Sequence, residues 1–557
     1  AAPRGAPVGM LRSWAAASGG GGGGGARGAV RQLALWLVRA AAFGVLAGWL
    51  RQVARLRLRL WDCAGGPWPI PLLGTVHRIL LLGIPNIHRS WLRDARSFGK
   101  IYSWAYFHKA MVNIACPEYL RRVLVTHWRS YDRSDIEQAA FGELLGEGLL
   151  FVPNDRWGDM RRVYQSGFSD RNILAFRHAL VAWSEAFAEG LAQSAGPVDV
   201  QEAVQRLTFR AIGHFTLGID FEDAGRLAEL QATTGAGRLG CRHYGELWSR
   251  LLEHTQIRFA LGPLQWWRVL KTEAVRAFEQ GHALLLGMVD AAIEARLSGA
   301  RAEDFGGSGD FQDLLCLMVG QKGQRYSRRE LRQQAMTFLF AGHDTTTNLI
   351  AFCLYLLAER PAALARARAD AAITDGPKPF LRCCLLETLR LYPSAPVRSR
   401  TACREDAFAA AAPEACPMLR SPADVRVAPG TGVSFAINAV HLDPAHWPEP
   451  EAFDPDRFAA HAAAHCARAL WAAPGHADRD EPLAYLPFGA GPRRCIGERF
   501  ALLEAEEICA AVLRRCDLRP GPGPRPVDEI HLTMRARDGV HLVFERRGAG
   551  HLAADAP

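Results

Sequence analysis

Phe488-Gly489-Ala490-Gly491-Pro492-Arg493-Arg494-Cys495-Ile496-Gly497 is a glycine-rich loop with one cysteine, and it opens onto a helical pattern that begins near Glu498. A cysteine just before a helix N-terminus, beside two arginines, sits in positive potential from backbone N–H groups and guanidinium charges. The expectation is a lowered pKa and a thiolate. A thiolate there is a nucleophile or a metal ligand, whereas an isolated cysteine is usually a small buried hydrophobe. Either active role requires further groups elsewhere in the chain.

The 557 residues are 49% hydrophobic and 22% charged, which suits a large globular domain with an appendage and excludes a disordered or polytopic chain. The net charge of +9 is concentrated at one end: residues 1–61 hold nine arginines and no acid, and the remainder carries 57 basic and 57 acidic groups. A nucleic-acid-binding body is therefore not indicated. Thirteen cysteines without framework spacing point to a reducing compartment, and no Cys-x-x-Cys pair suggests zinc.

Residues 1–28 read as a disordered Gly/Ala-rich leader, and 29–64 as a membrane anchor with a basic flank. The apolar stretch 33–50 would be about 27 Å long as a helix, slightly short of the ~30 Å hydrocarbon core. Arg39 interrupts it at a cost of ~2.5–3.5 kcal/mol, which its Leu, Val and Phe residues about cancel. Trp36 and Trp49 suit interfacial anchoring, with Arg51, Arg55, Arg57 and Arg59 on the cytoplasmic side; an Arg-rich transit peptide is the alternative. Residues 65–74 form a stiff proline-rich hinge.

Ile101–Ala115 alternates as a hairpin around His108-Lys109. Trp157 and Arg161 lie four apart on one face of a helix. Aromatics over 240–270 read first as core, and 298–309 as a surface loop. Ser327 and Glu330 fit a capping box that opens a helix of about 31 residues, ending before Pro361. Its flanks are apolar all round, so the small and polar residues Ala341 to Thr347 need a reason. Small residues let a ligand lie against the helix, and a buried acid beside a hydroxyl can relay protons; threonines bonding their own backbone are the plainer alternative. Glu387 and Arg390, three apart, would ordinarily be a surface salt bridge.

Together these segments resemble the cytochrome P450 family over roughly residues 65–545. The resemblance implies a mainly α fold, a large helical domain with small β-sheets enclosing a buried haem, here over 75–545 with a tail at 546–557. It makes Cys495 the axial ligand of noncovalent haem b. Arg493, Arg161, Arg400 and Trp157 would contact the propionates, Phe488 would pack near the sulfur, and Gly491 and Gly497 would permit tight turning and close approach. Ala341-Gly342-His343-Asp344-Thr345-Thr346 is similar to the oxygen-activation motif, with Thr345 steering protons and Asp344 the neighbouring acid. Glu387, Arg390 and Arg457 would form a buried, bidentate structural network. Region 240–270 would correspond to a lid that dips into the membrane.

The implied activity is a monooxygenase that takes NADPH electrons through cytochrome P450 reductase or a ferredoxin-type donor and hydroxylates or epoxidises a lipophilic substrate. The implied location is the endoplasmic reticulum membrane, cytosolic side, or the plastid. Leu144–Leu150 and Phe338–Thr346 look most like the fatty-acid ω-hydroxylases, favouring a fatty-acid-like substrate over a sterol or carotenoid. Ala341 stands where many of those enzymes carry a haem-esterified glutamate. The stretch before Glu387 is short for a membrane-bound member, as if a helix were missing. A hydroperoxide lyase or isomerase, and a non-catalytic haem-binding protein, are the competing functions; intact Asp344 and Thr345 argue against the first and the complete motif set against the second.

Overall fold

A computed structural model describes residues 24–548, apart from 60–65, 68, 71–72, 108, 222–240, 242, 263–264, 299–310, 321–325, 409–424 and 466–482. Most of the expected leader, all but the first residue of the loop expected over 298–309 and most of the C-terminal tail lie outside the described residues.

One long helix divides the core. The Ser327 side chain accepts from the Glu330 N–H while the Glu330 carboxylate accepts from the Ser327 N–H, completing the capping box. The 31 residues Arg328–Ala358 follow as helix, and Pro361 starts the next one at a position where its missing N–H is tolerated. Leu331 to Phe340 pack into one apolar cluster with the helices Asp135–Leu145, Val200–Leu217, Tyr244–Leu261 and Glu273–Leu297. Leu349 to Leu357 pack into a second, with Pro361–Ala371, Pro379–Leu391 and Glu498–Arg515. Residues 341–348, the polar stretch, lie between the segments that join the two clusters.

Beside this helical body a five-stranded sheet runs in the order Ile101–Tyr106, Lys109–Ile114, Gly432–Ala436, Val397–Ala402, Tyr131–Arg133. The expected hairpin forms its first two strands and turns through Phe107 at φ 52°. Lys109–Ile114 pairs in parallel with Gly432–Ala436, a pairing that requires a long crossover. Here the helical body is that crossover. Arg133 and Arg400 are direct partners in the edge ladder.

The N-terminal apolar stretch falls inside the helix Gly24–Arg59. Among the described residues no helix is long and apolar enough to cross a membrane. The anchor expected over 33–50 lies on the helix Gly24–Arg59. In the 240–270 region Tyr244, Trp248 and Trp267 are buried, so core packing is their role, while Val269 and Leu270 beyond them are exposed.

The short stretch before Glu387 holds one helix, Pro361–Ala371, and then a tight link that buries Lys378 completely. Its ammonium lies 3.5 Å from Glu507 and 3.9 Å from Glu506. Arg382 binds Glu506 at 2.5 Å and Arg177 binds Glu507 at 2.7 Å. An ion network thus closes the link onto the helix Glu498–Arg515, which satisfies charge that would be costly if stranded.

Candidate active site

The cysteine loop is shaped by its main chain. Cys495 N–H donates to the Phe488 carbonyl at 2.9 Å, Gly489 N–H to Leu486 at 3.0 Å and Arg494 N–H to Gly491 at 3.0 Å. Gly491 has φ 67°, and a Cβ there would lie 1.9 Å from the Leu124 carbonyl oxygen, so only glycine fits. Gly497 differs from expectation: at φ −87°, with ordinary van der Waals room for a Cβ, its backbone does not require glycine.

Cys495 is exposed, yet burial is the first cause pushing its thiol pKa up. The residue is thus accessible and still ringed by protein. The expected lowered pKa is overturned. The Gly497 N–H and the Arg161 and Arg494 charges do pull it down, but burial, joined by Glu498, outweighs them. Arg494 is neutralised by a bidentate pair with Glu498, both bonds at 2.6 Å. Such a thiol gives up its proton on binding a metal rather than beforehand.

Arg493 turns away from the sulfur into a cluster of cations. Its guanidinium donates to Asn154 Oδ1 and the Val152 carbonyl and lies 4.9 Å over the Trp157 ring. Arg400 and Arg133 are its neighbours and Arg398 in turn acts on both of these: Arg398 and Arg400 share one face of their strand, and Arg133 sits opposite Arg400. Burial, then the Arg400 charge, pushes the Arg493 pKa down to about 9. Burial is also the first cause lowering Arg400 to about 10 and Arg133 well below its ordinary value. Asp132 and Glu137 are the acids that act on this cluster, two carboxylates against four guanidinium groups. Glu137 also accepts from the Ser399 N–H and hydroxyl. Arg493 Nη1 and Arg133 Nε are buried without a hydrogen-bond partner. Arg133 and Arg398 escaped the sequence reading because they belong to no motif; only strand pairing brings them to Arg493.

Arg161 occupies a different place from its expected partner Arg493. Its Nη1 donates to the Arg494 carbonyl at 3.0 Å, tying the helix Asn154–Gln165 to the cysteine loop.

In the polar stretch of the long helix Ala341 is exposed, between the buried Phe340 and the half-buried Gly342. Thr345, Thr346 and Thr347 each donate to the carbonyl four residues back, at 2.9, 3.1 and 2.9 Å. The Thr345 oxygen keeps its lone pairs for an acceptor role. The Asp344 carboxylate accepts from the Thr533 hydroxyl. Asp344 and Thr347 also line a polar cleft of about 290 Å³, whose walls include Glu202, Glu246, Glu253, Arg250 and Arg535. Behind Thr346, burial holds the Glu504 carboxyl far above the usual carboxylate range.

The expected glutamate-arginine frame is buried and tighter at one corner than the other. Arg390 binds Glu387 through two 2.8 Å bonds, with both side chains fully buried. Arg457 is not bidentate: its Nε stands 3.5 Å from Glu387, and its Nη2 donates to the Glu449 carbonyl. Residues 441, 450 and 452 present carbonyls to Arg390.

A haem fits these donors. The Cys495 sulfur would supply a ligand to its iron, and among the described residues no cluster of three or more His, Cys, Asp or Glu offers a competing metal site. The four arginines exceed their acids by two charges and leave buried N–H groups unpaired, which matches two propionates.

The family profile described as Cytochrome P450 matches residues 64–543. The human protein "Cytochrome P450 4F8" is 28% identical over 474 residues, covering 79% of this chain and 81% of that relative. "Cytochrome P450 4A24" of Sus scrofa is 33% identical over 249 residues, 42% of this chain and 44% of its own. The crystal structure of the cytochrome P450DA heme domain shares the fold, with a TM-score of 0.67 at 23% identity, over 88% of this chain and 99% of that one.

Proposed function

The chain belongs to the cytochrome P450 family, and on that premise we propose that Cys495 is the thiolate ligand of its haem, with Arg493, Arg400, Arg133 and Arg398 binding the propionates and Thr345 and Asp344 handling protons. As a family member it is a monooxygenase that uses haem b, a redox partner, O₂ and a lipophilic substrate. When bound, the haem supplies reductive activation of O₂ and its insertion into a C–H bond.

The observation that carries the assignment is the combination of an accessible cysteine ringed by protein with an under-neutralised arginine cluster two residues away in sequence. Phe488 and Gly491 hold the loop that presents Cys495, and Trp157 supports the Arg493 guanidinium from below. The exposed Ala341 leaves room for the macrocycle and offers no carboxylate to esterify, which supports noncovalent binding. Thr345 Oγ1, bonded to the Ala341 carbonyl, holds a proton beside Ala341. Asp344, reached from the polar cleft, resupplies it. Glu387, Arg390 and Arg457 keep the frame rigid around the loop.

The likeness of Leu144–Leu150 and Phe338–Thr346 to fatty-acid hydroxylases supports a fatty-acid-like substrate. The Arg-rich N-terminal helix and proline-rich hinge support the endoplasmic reticulum membrane with the catalytic domain in the cytosol, the plastid being the alternative. NADPH-cytochrome P450 reductase is the electron donor that suits the former, a ferredoxin the latter.

The reduced protein treated with carbon monoxide tests the assignment. A red-shifted thiolate Soret band is expected; a band at the histidine-ligated position would refute it. Product analysis with reductase, NADPH and a lipid panel tests the substrate class. Turnover of hydroperoxides without NADPH would instead identify a lyase or isomerase.

A further inference from the structure

His441, the last residue of the short helix Ile437–His441, joins the buried frame to the cysteine loop. Its imidazole is fully buried and stacks on Tyr485, ring centroids 5.2 Å apart and planes 22° apart. The Leu486 N–H donates to its Nε2 at 2.9 Å. A main-chain N–H can only donate, so Nε2 holds a lone pair and the ring proton resides on Nδ1. That proton goes to the Arg390 carbonyl at 3.2 Å, while the His441 carbonyl accepts from Arg390 Nη1 at 2.9 Å. Burial and the Arg390 charge push the imidazole pKa down to about 3, which keeps this tautomer neutral.

Leu486 is the first anchoring point of the loop. Its carbonyl accepts the Gly489 N–H at 3.0 Å, and the Phe488 carbonyl next to Gly489 accepts the Cys495 N–H at 2.9 Å. The adjacent Tyr485 hydroxyl donates to the Leu386 carbonyl at 2.8 Å, on the same helix as Arg390. A shift of Leu486 therefore moves the main chain that presents the sulfur.

We propose that His441 is the positioning residue for the Cys495 thiolate: by bridging Arg390 and Leu486 it sets the height and angle at which the sulfur meets the metal. The proposal rests on Cys495 being the ligand. His441 touches neither haem nor substrate, so its effect is read in the ligand field and not in substrate affinity.

The test uses the full-length, haem-loaded protein and three variants. His441→Phe preserves ring volume and the Tyr485 stack but can neither donate nor accept. His441→Gln carries an acceptor close to the Nε2 position, and the acceptor of His441→Asn stops short of Leu486. In the reduced carbon monoxide spectrum, His441→Phe should lower the ratio of thiolate to unshifted band roughly tenfold, the effect of one or two lost buried hydrogen bonds. Its reduction potential should move as well. His441→Gln should recover most of the thiolate band and His441→Asn little.

A His441→Phe protein with the wild-type spectrum and potential overturns the proposal. Should that variant not fold, Gln and Asn variants with equal band ratios overturn it just as well. Failure of the Cys495 assignment is distinguishable, because the wild-type protein itself would then lack the thiolate band.

Discussion

Arg390 and Arg493 are both buried, both close in the fold to the cysteine loop, and oppositely provided for. Arg390 uses its donors fully, on Glu387 and on the carbonyls of His441, Pro450 and Ala452. Arg493 shares its surroundings with three other arginines, keeps Nη1 without a partner, and has its pKa pushed down to about 9. A buried charge that serves the fold is satisfied by the fold. One that serves a ligand is left short by about the ligand's own charge, and the haem-free protein bears the strain.

The largest test of this contrast removes the ligand bond itself. Cys495→Ser should abolish the thiolate band and monooxygenase activity together, checked by the carbon monoxide spectrum and product formation. On the satisfied side, Glu387→Gln leaves the Arg390 charge buried and uncompensated and should cost ~3–5 kcal/mol of stability with or without haem, measured by denaturant titration. A loss confined to the haem-loaded form would break the distinction between frame and cradle. Thr345→Ala should lower product formed per NADPH consumed by about 10² while leaving the thiolate band intact.

On the unsatisfied side the two forms of the protein should respond with opposite signs. Arg133→Met relieves repulsion, so the haem-free protein should be no less stable, while transfer of haem to an acceptor protein should quicken roughly tenfold. The smallest effect is in pH. A guanidinium whose folded pKa lies below its unfolded value weakens the fold while charged, and this penalty fades as pH rises through the folded pKa. With Arg493 near 9 and Arg400 near 10, the haem-free protein should gain stability as the pH rises above about 9. The haem-loaded protein should not, since bound propionates would compensate the charges; equal slopes in both forms would count against the cradle.

The parts of the site that sequence revealed are those in which neighbours in space are neighbours in chain. The cysteine loop, Trp157 and Arg161 on one helical turn, the capping box at Ser327, and Glu387 with Arg390 are all local, and each forms where expected. Arg133, Arg398 and His441 depend on strand pairing and on a helix-to-loop contact, so no spacing announces them. The Cys495 pKa failed for a related reason. Helix end and arginines are visible in sequence, but the degree of burial and the Glu498 carboxylate that occupies Arg494 are not.

Lysine is scarce in this chain: there are five, against 61 arginines, and Lys378 has no exposed side-chain surface. That makes its amine a built-in reporter. An amine-reactive label applied to the folded protein should pass Lys378 by, and a single added mass on the peptide that contains it would register the moment the short link before Glu387 lifts from its two glutamates, without any engineered probe.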